Sequence, residues 1–326
     1  MRAMLCKEYG PPENLVLEDV PSLNASAGHV VVRVHACGVN FPDTLIIQGQ
    51  YQFKPARPFA PGAEVAGVIS ALGAEVTQFK VGDRVIAFVG WGGFADEVVA
   101  EASRVIPMPA DLDFPTAAAF VLTYGTSYHA LKDRARLQAG ETLLVLGAAG
   151  GVGLAAVELG KLLGARVIAA ASSDDKLVVC QQHGADEVIN YERDDLRARI
   201  KTLTNGRGVD LVYDPVGGAL TETALRSTAW GGRLLVVGFA SGDIPRIPLN
   251  LTLLKGCSIV GVFWGEFTVR EPQRNAQELA ELMTWLQAGT LKPHISATYP
   301  LERAADALRD IAQRTVIGKA VVVMTE

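Results

Sequence analysis

The sequence predicts an α/β protein in which a doubly wound parallel sheet is inserted into a β-rich domain. The first third of the chain contains short β-branched runs separated by turn residues, whereas the chain after Phe114 alternates between strand-like and helix-like runs. The chain has 326 residues, which exceeds the size at which one hydrophobic core usually stops growing. Two domains are therefore expected.

The β-rich part begins with three predicted strands, at residues 29–35, 65–70 and 84–89. Turn residues separate these strands, notably Pro61-Gly62 and Val81-Gly82-Asp83. Helix signals are almost absent here, apart from a short helical turn around residues 43–48. This pattern indicates a β-rich domain.

The alternating part begins with a helix predicted over residues 116–131, with Pro115 in the first turn, where proline is tolerated. Predicted strands follow at residues 142–146, 166–170, 187–189, 211–214, 233–237 and 258–262. Predicted helices lie between them at residues 152–163, 175–183, 194–204 and 219–228. This alternation indicates the two mononucleotide-binding halves of a doubly wound parallel sheet.

The last part of the chain contains a long predicted helix at 272–288, a shorter one at 301–310 and a closing strand at 318–324. These elements make a poor domain alone, so we expect them to return to the β-rich domain. The predicted boundaries are residues 1–122 with 266–326 for the β-rich domain and 123–265 for the inserted domain.

A glycine-rich turn joins the first strand and helix of the inserted domain. Gly147-Ala148-Ala149-Gly150-Gly151-Val152-Gly153 follows an apolar strand and opens a helix. A helix N-terminus offers unpaired N–H groups and a positive dipole end, which suit a pyrophosphate. With the next strand, the turn completes a βαβ unit of roughly 30 residues, typical of dinucleotide-binding domains.

The overall composition argues against several other classes of protein. The net charge is −5 and there is no dense run of Lys or Arg, so a nucleic-acid-binding surface is disfavoured. Four widely spaced cysteines, with no Cys-x-x-Cys pair, are typical of a reducing compartment. We find neither a signal-peptide pattern nor an apolar run approaching a membrane span, and expect a cytoplasmic protein with no membrane partner.

Eight short segments carry a resemblance to a known family: Cys37-Gly38-Val39-Asn40-Phe41, Ile47-Gln48-Gly49-Gln50-Tyr51, Pro61-Gly62-Ala63-Glu64, Gly82-Asp83-Arg84-Val85, Ala148–Gly153, Gly184-Ala185-Asp186, Val188-Ile189-Asn190-Tyr191 and Phe263-Trp264-Gly265. In this order, over essentially the full length, the chain resembles the zinc-free medium-chain dehydrogenases/reductases of the quinone oxidoreductase family. The resemblance implies a GroES-like catalytic domain and an inserted Rossmann domain that binds NADPH. It also implies a homodimer formed through the Rossmann sheet edge.

The positions that bind catalytic zinc in the zinc-dependent relatives carry other residues here. Asn40, Phe41 and Ala63 stand where the resemblance places the Cys and His of the zinc site, and residues 91–101 contain no cysteine. Zinc favours thiolate and imidazole ligands, which Asn and Ala do not supply. Glu64 remains as a stray metal ligand or, as we favour, a structural residue beneath the active site. We expect no metal.

The end of the second strand of the inserted domain indicates which dinucleotide binds. An NAD-specific fold has an acid about 20 residues after the glycine turn, and Ala171 takes that position here. Ser172, Ser173 and Lys176 offer two hydroxyls and a cation to a 2′-phosphate. The resemblance gives Lys176 and Tyr191 the same role, which points to NADPH.

Two acidic residues in the same loop leave an alternative open. Asp174 and Asp175 fit the N-cap and first turn of the following helix. If Asp174 faced the ribose instead, NADH would compete.

Further cofactor contacts follow from the turn and from the resemblance. Five turn residues would hold the pyrophosphate: Ala149, Gly150, Gly151, Val152 and Gly153. The resemblance implies that Thr126 lies near the nicotinamide and that Phe239 and Trp264 border its pocket. Phe239 and Trp264 are also consistent with plain core packing, because large aromatic residues dominate cores.

The catalytic candidates are Tyr51, Asn40 and Asp43. Without zinc, the hydride acceptor must already be activated, as in a quinone or an α,β-unsaturated carbonyl. By resemblance to enoyl-thioester reductases, Tyr51 donates a proton, or else it only lines the pocket. Asn40 orients the nicotinamide, donates to a carbonyl or fills the vacated metal space. Asp43 acts in the site or caps a short helix.

The sequence therefore predicts an NADPH-dependent reductase of quinones or enones. Enoyl-thioester reduction is an alternative, for which Lys54 and Arg57 near Tyr51 are two basic residues available to a CoA or phosphopantetheine arm. A non-catalytic NADPH-binding protein is another alternative, because binding and catalysis use the same glycine turn.

Overall fold

A computed structural model describes residues 1–324. Within these residues the chain forms two compact units, residues 1–122 with 293–324 and residues 123–292. The described residues contain fifteen strands: β1 (Arg2–Leu5), β2 (Val16–Asp19), β3 (His29–Val39), β4 (Glu64–Leu72), β5 (Arg84–Phe88), β6 (Glu97–Glu101), β7 (Val105–Pro107), β8 (Thr142–Leu146), β9 (Arg166–Ala171), β10 (Glu187–Asn190), β11 (Val209–Asp214), β12 (Thr228–Val236), β13 (Ser258–Gly261), β14 (Ile295–Pro300) and β15 (Lys319–Val323).

Helices account for most of the remaining regular structure. In chain order they are α1 (Phe41–Ile46), α2 (Phe114–Ala118), α3 (Val121–Tyr128), α4 (Gly151–Leu162), α5 (Asp174–Gln182), α6 (Leu196–Leu203), α7 (Gly218–Arg226), α8 (Asn250–Lys255), α9 (Trp264–Arg270), α10 (Pro272–Gln287) and α11 (Ala304–Ala312). A π-helical segment, His129–Arg134, continues α3. In residues 1–324, no helix is long and apolar enough to cross a membrane.

The first unit is built on a seven-stranded sheet. Its strand order is β14-β15-β3-β4-β5-β7, and β6 also pairs with β3. The eleven-residue strand β3 pairs antiparallel with β4, β6 and β15, so it lies at the centre of the unit. Because β15 pairs with β3, the last strand returns to the sheet formed by the first part of the chain.

The second unit contains the doubly wound parallel sheet that the sequence predicts. Its strand order is β10-β9-β8-β11-β12-β13, and all neighbouring strands are parallel. Every residue of β8 is buried, as expected for a central strand covered by helices on both faces. The strand order reverses between β8 and β11, which is where such sheets bind their ligands.

Two predicted features differ from the structure. The helix predicted over 116–131 is interrupted after α2, where Ala119 leaves helical geometry, and it ends as a π-helix. The chain returns to the first unit at Pro293 rather than at residue 266. The reason is that α10 packs in the second unit, where the Trp285 ring lies against Tyr128 and Glu281 accepts a hydrogen bond from the Tyr128 hydroxyl.

Candidate functional site

The glycine turn of the second unit has the geometry of a pyrophosphate-binding loop. Gly147 directly follows β8 with a φ of 56°, a conformation that favours glycine, and Gly150 precedes α4 as its N-cap. At Gly153 an added Cβ would lie 2.3 Å from the Gly147 carbonyl oxygen, so only glycine fits. The absent side chain lets α4 start close against the turn. Its first N–H groups therefore face the end of β8, where an anion can bind.

The four residues predicted to hold a 2′-phosphate, Ser172, Ser173, Lys176 and Tyr191, follow the ends of β9 and β10. Ala171, the last residue of β9, is buried and provides no carboxylate. Lys176 donates from Nζ to the Ser172 hydroxyl oxygen at 3.1 Å, and the Tyr191 N–H donates to the Ala171 carbonyl at 3.1 Å. The neighbouring Ser173 is the N-cap of α5. The arrangement combines a hydroxyl and an ammonium group, which are donors for a phosphate.

Asp174 is directed toward β10. Its Oδ1 accepts a hydrogen bond from Asn190 Nδ2 at 2.9 Å, and its Oδ2 pairs with Arg193 at 2.8 Å. The hydrogen bond from Asn190, followed by that from Arg193, lowers the pKa of Asp174. Asp174 and Asp175 also occupy the first turn of α5, as that alternative predicts, but the N-cap is Ser173 and not Asp174.

The aromatic candidates of the second unit lie in two places. Trp264 is buried against Gly125, where an added Cβ would lie 2.7 Å from the indole ring, and its Nε1 donates to Asn275 Oδ1 at 3.2 Å. Thr126, half-buried on α3, directly follows that glycine. Phe239 follows β12 and lies near Gly217, so the structure groups Trp264 with α3 and Phe239 with the loop after β11.

A buried polar cluster occupies the first unit at the position of Asn40. Lys319 donates from Nζ to Glu64 Oε1 at 2.7 Å and to Asn40 Oδ1 at 2.6 Å. The Asn40 amide donates in turn to Glu64 Oε1 at 3.0 Å, and the Leu122 N–H donates to Glu64 Oε2 at 2.9 Å. Both ends of the Asn40 amide are thus engaged inside the cluster, so the geometry supports a positioning role for Asn40.

Sequence reasoning missed Lys319. The available signal was a lysine at the start of an otherwise apolar strand, Lys319–Val323. In the structure only 4% of Lys319 is exposed. Lys and Glu are almost never fully buried unless they are paired. Glu64 therefore has the structural role expected for it, as the partner of Lys319.

This cluster does not fit a catalytic zinc ion. Two carboxylates lie near the predicted ligand positions, and both already have partners: an ammonium group lies 2.7 Å from Glu64 Oε1, and Asp43 accepts hydrogen bonds from the backbone of Asn40 and Gly62. Neither the Asn40 amide nor the Ala63 methyl group is a zinc ligand of the usual kind. The positive charge in this part of the unit comes from Lys319.

Asp43 and Tyr51, the other two catalytic candidates, follow Asn40 closely in the sequence. The Asp43 carboxylate accepts hydrogen bonds from the backbone N–H of Asn40 at 2.8 Å and of Gly62 at 3.1 Å. Burial raises the pKa of Asp43 to about 7. The ring of Tyr51, half-buried, packs edge-on against Phe53, with a centroid distance of 5.8 Å. Burial and then the Asp43 charge raise the pKa of Tyr51, so its phenol is protonated at neutral pH.

A further cluster in the second unit contains His129, Asp133 and Glu278. His129 Nδ1 lies 2.6 Å from Asp133 Oδ2, and its ring stacks on Phe267. Arg274 pairs with both carboxylates, so a guanidinium group supplies the cation there. The cluster therefore joins α9 and α10 to the π-helical segment.

Comparisons with known proteins give one consistent result. The family model described as "Alcohol dehydrogenase GroES-like domain" matches residues 26–110, and that described as "Zinc-binding dehydrogenase" matches residues 151–286. "Quinone oxidoreductase-like protein 2 homolog" of Nematostella vectensis is 42% identical over 325 residues, covering 98% of this chain and 88% of the relative.

Two solved structures extend the comparison. The quinone oxidoreductase of Escherichia coli, complexed with NADPH, is 28% identical with a TM-score of 0.94, covering 99% of this chain and 100% of that one. The CurK enoyl reductase is 29% identical with a TM-score of 0.90, covering 99% of each chain.

Proposed function

The chain belongs to the quinone oxidoreductase family of medium-chain dehydrogenases/reductases, and from this premise we propose that it is an NADPH-dependent reductase of quinones or α,β-unsaturated carbonyls that uses no metal. The observation that carries the proposal is the end of β9. There Ala171 replaces an acid, and Lys176 and Ser172 face each other at 3.1 Å.

The residues of the second unit fit the cofactor. The turn from Ala149 to Gly153 would hold the pyrophosphate at the start of α4, and Ser172, Lys176 and Tyr191 would hold the 2′-phosphate. Thr126, Phe239 and Trp264 would border the nicotinamide. When bound, NADPH supplies the hydride, and the protein orients and shields the reactants.

The choice of acceptor follows from the first unit. The cluster around Glu64 has no donor set for a metal that would polarise an alcohol or an isolated carbonyl, so the acceptor must be conjugated already. Hydride addition to a conjugated carbonyl places negative charge on its oxygen. Tyr51, whose phenol stays protonated, would donate a proton to the enolate, and Asn40 and Asp43 would position the surrounding backbone.

Enoyl-thioester reduction is the second candidate. It is favoured by the likeness to an enoyl reductase over nearly the whole chain. Lys54 and Arg57 lie close to Tyr51 in the sequence and would face the phosphates of a CoA arm.

One experiment tests these proposals together. NADPH binding is measured by fluorescence, and NADPH consumption is then followed with a matched panel of quinones, enones and enoyl-CoA thioesters. Turnover of quinones and enones is the expected result. A marked preference for the thioesters would favour the second candidate, and binding without turnover of any member would leave a non-catalytic NADPH-binding protein.

A further inference from the structure

An acid lies between the proposed phosphate-binding residues Ser172 and Lys176 in the sequence, but its carboxylate is hydrogen-bonded to other residues. Asp174 follows Ser172 by two residues and precedes Lys176 by two. Nevertheless, both of its carboxylate oxygens contact the segment at the end of β10, one at Asn190 (2.9 Å) and one at Arg193 (2.8 Å). The direction of this carboxylate decides whether negative charge lies next to the phosphate site.

Asn190 is the rigid member of this arrangement. It is the last residue of β10, only 7% exposed, and its backbone is in register with Ala171 of β9. Its Nδ2 donates to Asp174, while its Oδ1 accepts a hydrogen bond from the Glu192 N–H at 3.2 Å. Because both ends of the amide are bonded, the direction of its Nδ2 is fixed.

Arg193 contributes less to the direction of Asp174. Its side chain is 62% exposed, and it also pairs with Asp194. An exposed ion pair with a second competing partner holds its geometry weakly. The buried Asn190 amide therefore determines the position of the Asp174 carboxylate, and the Arg193 side chain pairs with the carboxylate in that position.

We propose that Asn190 is a specificity-determining positioning residue, which holds the Asp174 carboxylate at β10 and thereby keeps its charge off the side of the 2′-phosphate site that Ser172 and Lys176 form. The inference rests on the proposed placement of the NADPH phosphate beside these two residues. A carboxylate at this end of a Rossmann sheet accepts a hydrogen bond from the ribose 2′-hydroxyl of NADH and repels a phosphate. Releasing Asp174 would therefore shift selectivity toward NADH.

A double-mutant cycle tests the proposal. The dissociation constants of NADPH and NADH are measured by fluorescence for the unmodified protein, Asn190→Ala, Asp174→Asn and the double variant. We expect Asn190→Ala to weaken NADPH roughly five- to tenfold, within the usual coupling of contacting residues, and to leave NADH unchanged or tighter. Asp174→Asn should retain the original selectivity, and the double variant should recover it.

Two results of this double-mutant cycle would contradict the proposal. Equal weakening of both dinucleotides by Asn190→Ala, or a selectivity loss that persists with Asp174→Asn, would overturn the proposal and leave Asn190 a purely structural residue. Should Asn190→Ala fail to fold by circular dichroism, Asn190→Ser replaces it in the same cycle, and unchanged selectivity there would count against the proposal equally.

Lys176→Ala in the same assay separates the two levels of inference. Undiminished NADPH binding by Lys176→Ala would contradict the proposed position of the 2′-phosphate beside Lys176. A selective loss with Lys176→Ala, together with unchanged selectivity for Asn190→Ala, would overturn only the role of Asn190.

Discussion

Asn40 and Asp43 show how hydrogen bonds define the role of a single residue. The Asn40 amide accepts from Lys319 and donates to Glu64, and its backbone N–H donates to Asp43. The sequence placed Asn40 and Asp43 near the active site but left their roles open. Their internal hydrogen bonds favour positioning over direct contact with the acceptor, which makes Tyr51 the stronger catalytic candidate.

Lys176→Ala should weaken NADPH far more than NADH. A charge-assisted hydrogen bond contributes about 1.5–3 kcal/mol, which corresponds to roughly a 10- to 100-fold change in the NADPH dissociation constant. Fluorescence titration with both dinucleotides measures it, with Lys201→Ala, exposed on α6, as the matched control. Equal losses for NADPH and NADH would remove Lys176 from the phosphate site.

Tyr51→Phe should slow enone reduction more than quinone reduction. General acid catalysis contributes roughly a hundredfold or more, and a hydroquinone can instead take its protons from water. Steady-state rates with one enone and one quinone measure the difference. Phe53→Leu, which alters the ring packed on Tyr51, is the control for shape. Equal rate losses with both acceptors would mean that Tyr51 only lines the pocket and donates no proton.

Asp43 should make the stability of the protein depend on pH. Its carboxyl binds a proton more tightly when folded, with a pKa of about 7, than at the ordinary value of 3.8. The free energy of unfolding should therefore fall, by up to a few kcal/mol, as pH rises from about 4 to about 7, and this contribution should stay constant outside that range.

Urea denaturation at several pH values measures this dependence. Asp43→Asn should remove the slope, whereas Asp111→Asn, at an exposed loop position, should keep it. A slope that is unchanged in Asp43→Asn would assign the proton to another group.

At the scale of elements, strong periodicity predicted the alternating strands and helices of the second unit, because its strands are buried on both faces. Shorter elements escaped prediction: β6, β14 and α9 lack a long apolar or amphipathic pattern, and contacts with neighbouring elements determine them. The glycine turn was predictable because local backbone geometry requires glycine there, and Ala171 because it lies about 20 residues after that turn. The pairing of Lys319 with Glu64 was not, because 255 residues separate the partners.

Lys319→Met should destabilise the first unit strongly. It leaves the fully buried Glu64 carboxylate without its cation, and breaking a buried pair in this way costs about 3–5 kcal/mol. Chemical denaturation measures the loss, with Lys80→Met, at an exposed position of the same unit, as the control. Adding Glu64→Gln to Lys319→Met should restore part of the stability, since it removes the uncompensated charge. A loss below about 1 kcal/mol would mean that water reaches the cluster.

At the scale of the whole molecule, β13 leaves an edge of the parallel sheet unpaired in the described residues. Ile259 on this edge is exposed, and nearby Trp230 and Leu253 are 82% and 78% exposed. Lys255 of α8 donates to the Thr228 carbonyl, so the apolar residues of α8 lie beside β12. Exposed apolar edges favour association. We therefore propose that two copies pair through β13 as a homodimer.

Light scattering tests the homodimer. The unmodified protein should have twice the chain mass of 34.6 kDa, and Ile259→Lys should shift it toward the mass of one chain. Val81→Asp, in an exposed loop of the first unit, should not. A single-chain mass for the unmodified protein would contradict the proposal.

The position of Lys319 also imposes an order on biosynthesis. The second unit is one continuous segment, so all of its residues are synthesised before β15. The first unit has most of its strands by then, but Glu64 still lacks its cation and β3 still lacks the neighbour that β15 provides. Domains generally fold as units during synthesis, and here the part made first is the part completed last. A chain that ends shortly before residue 319 would therefore contain the whole second unit attached to an unfinished sheet.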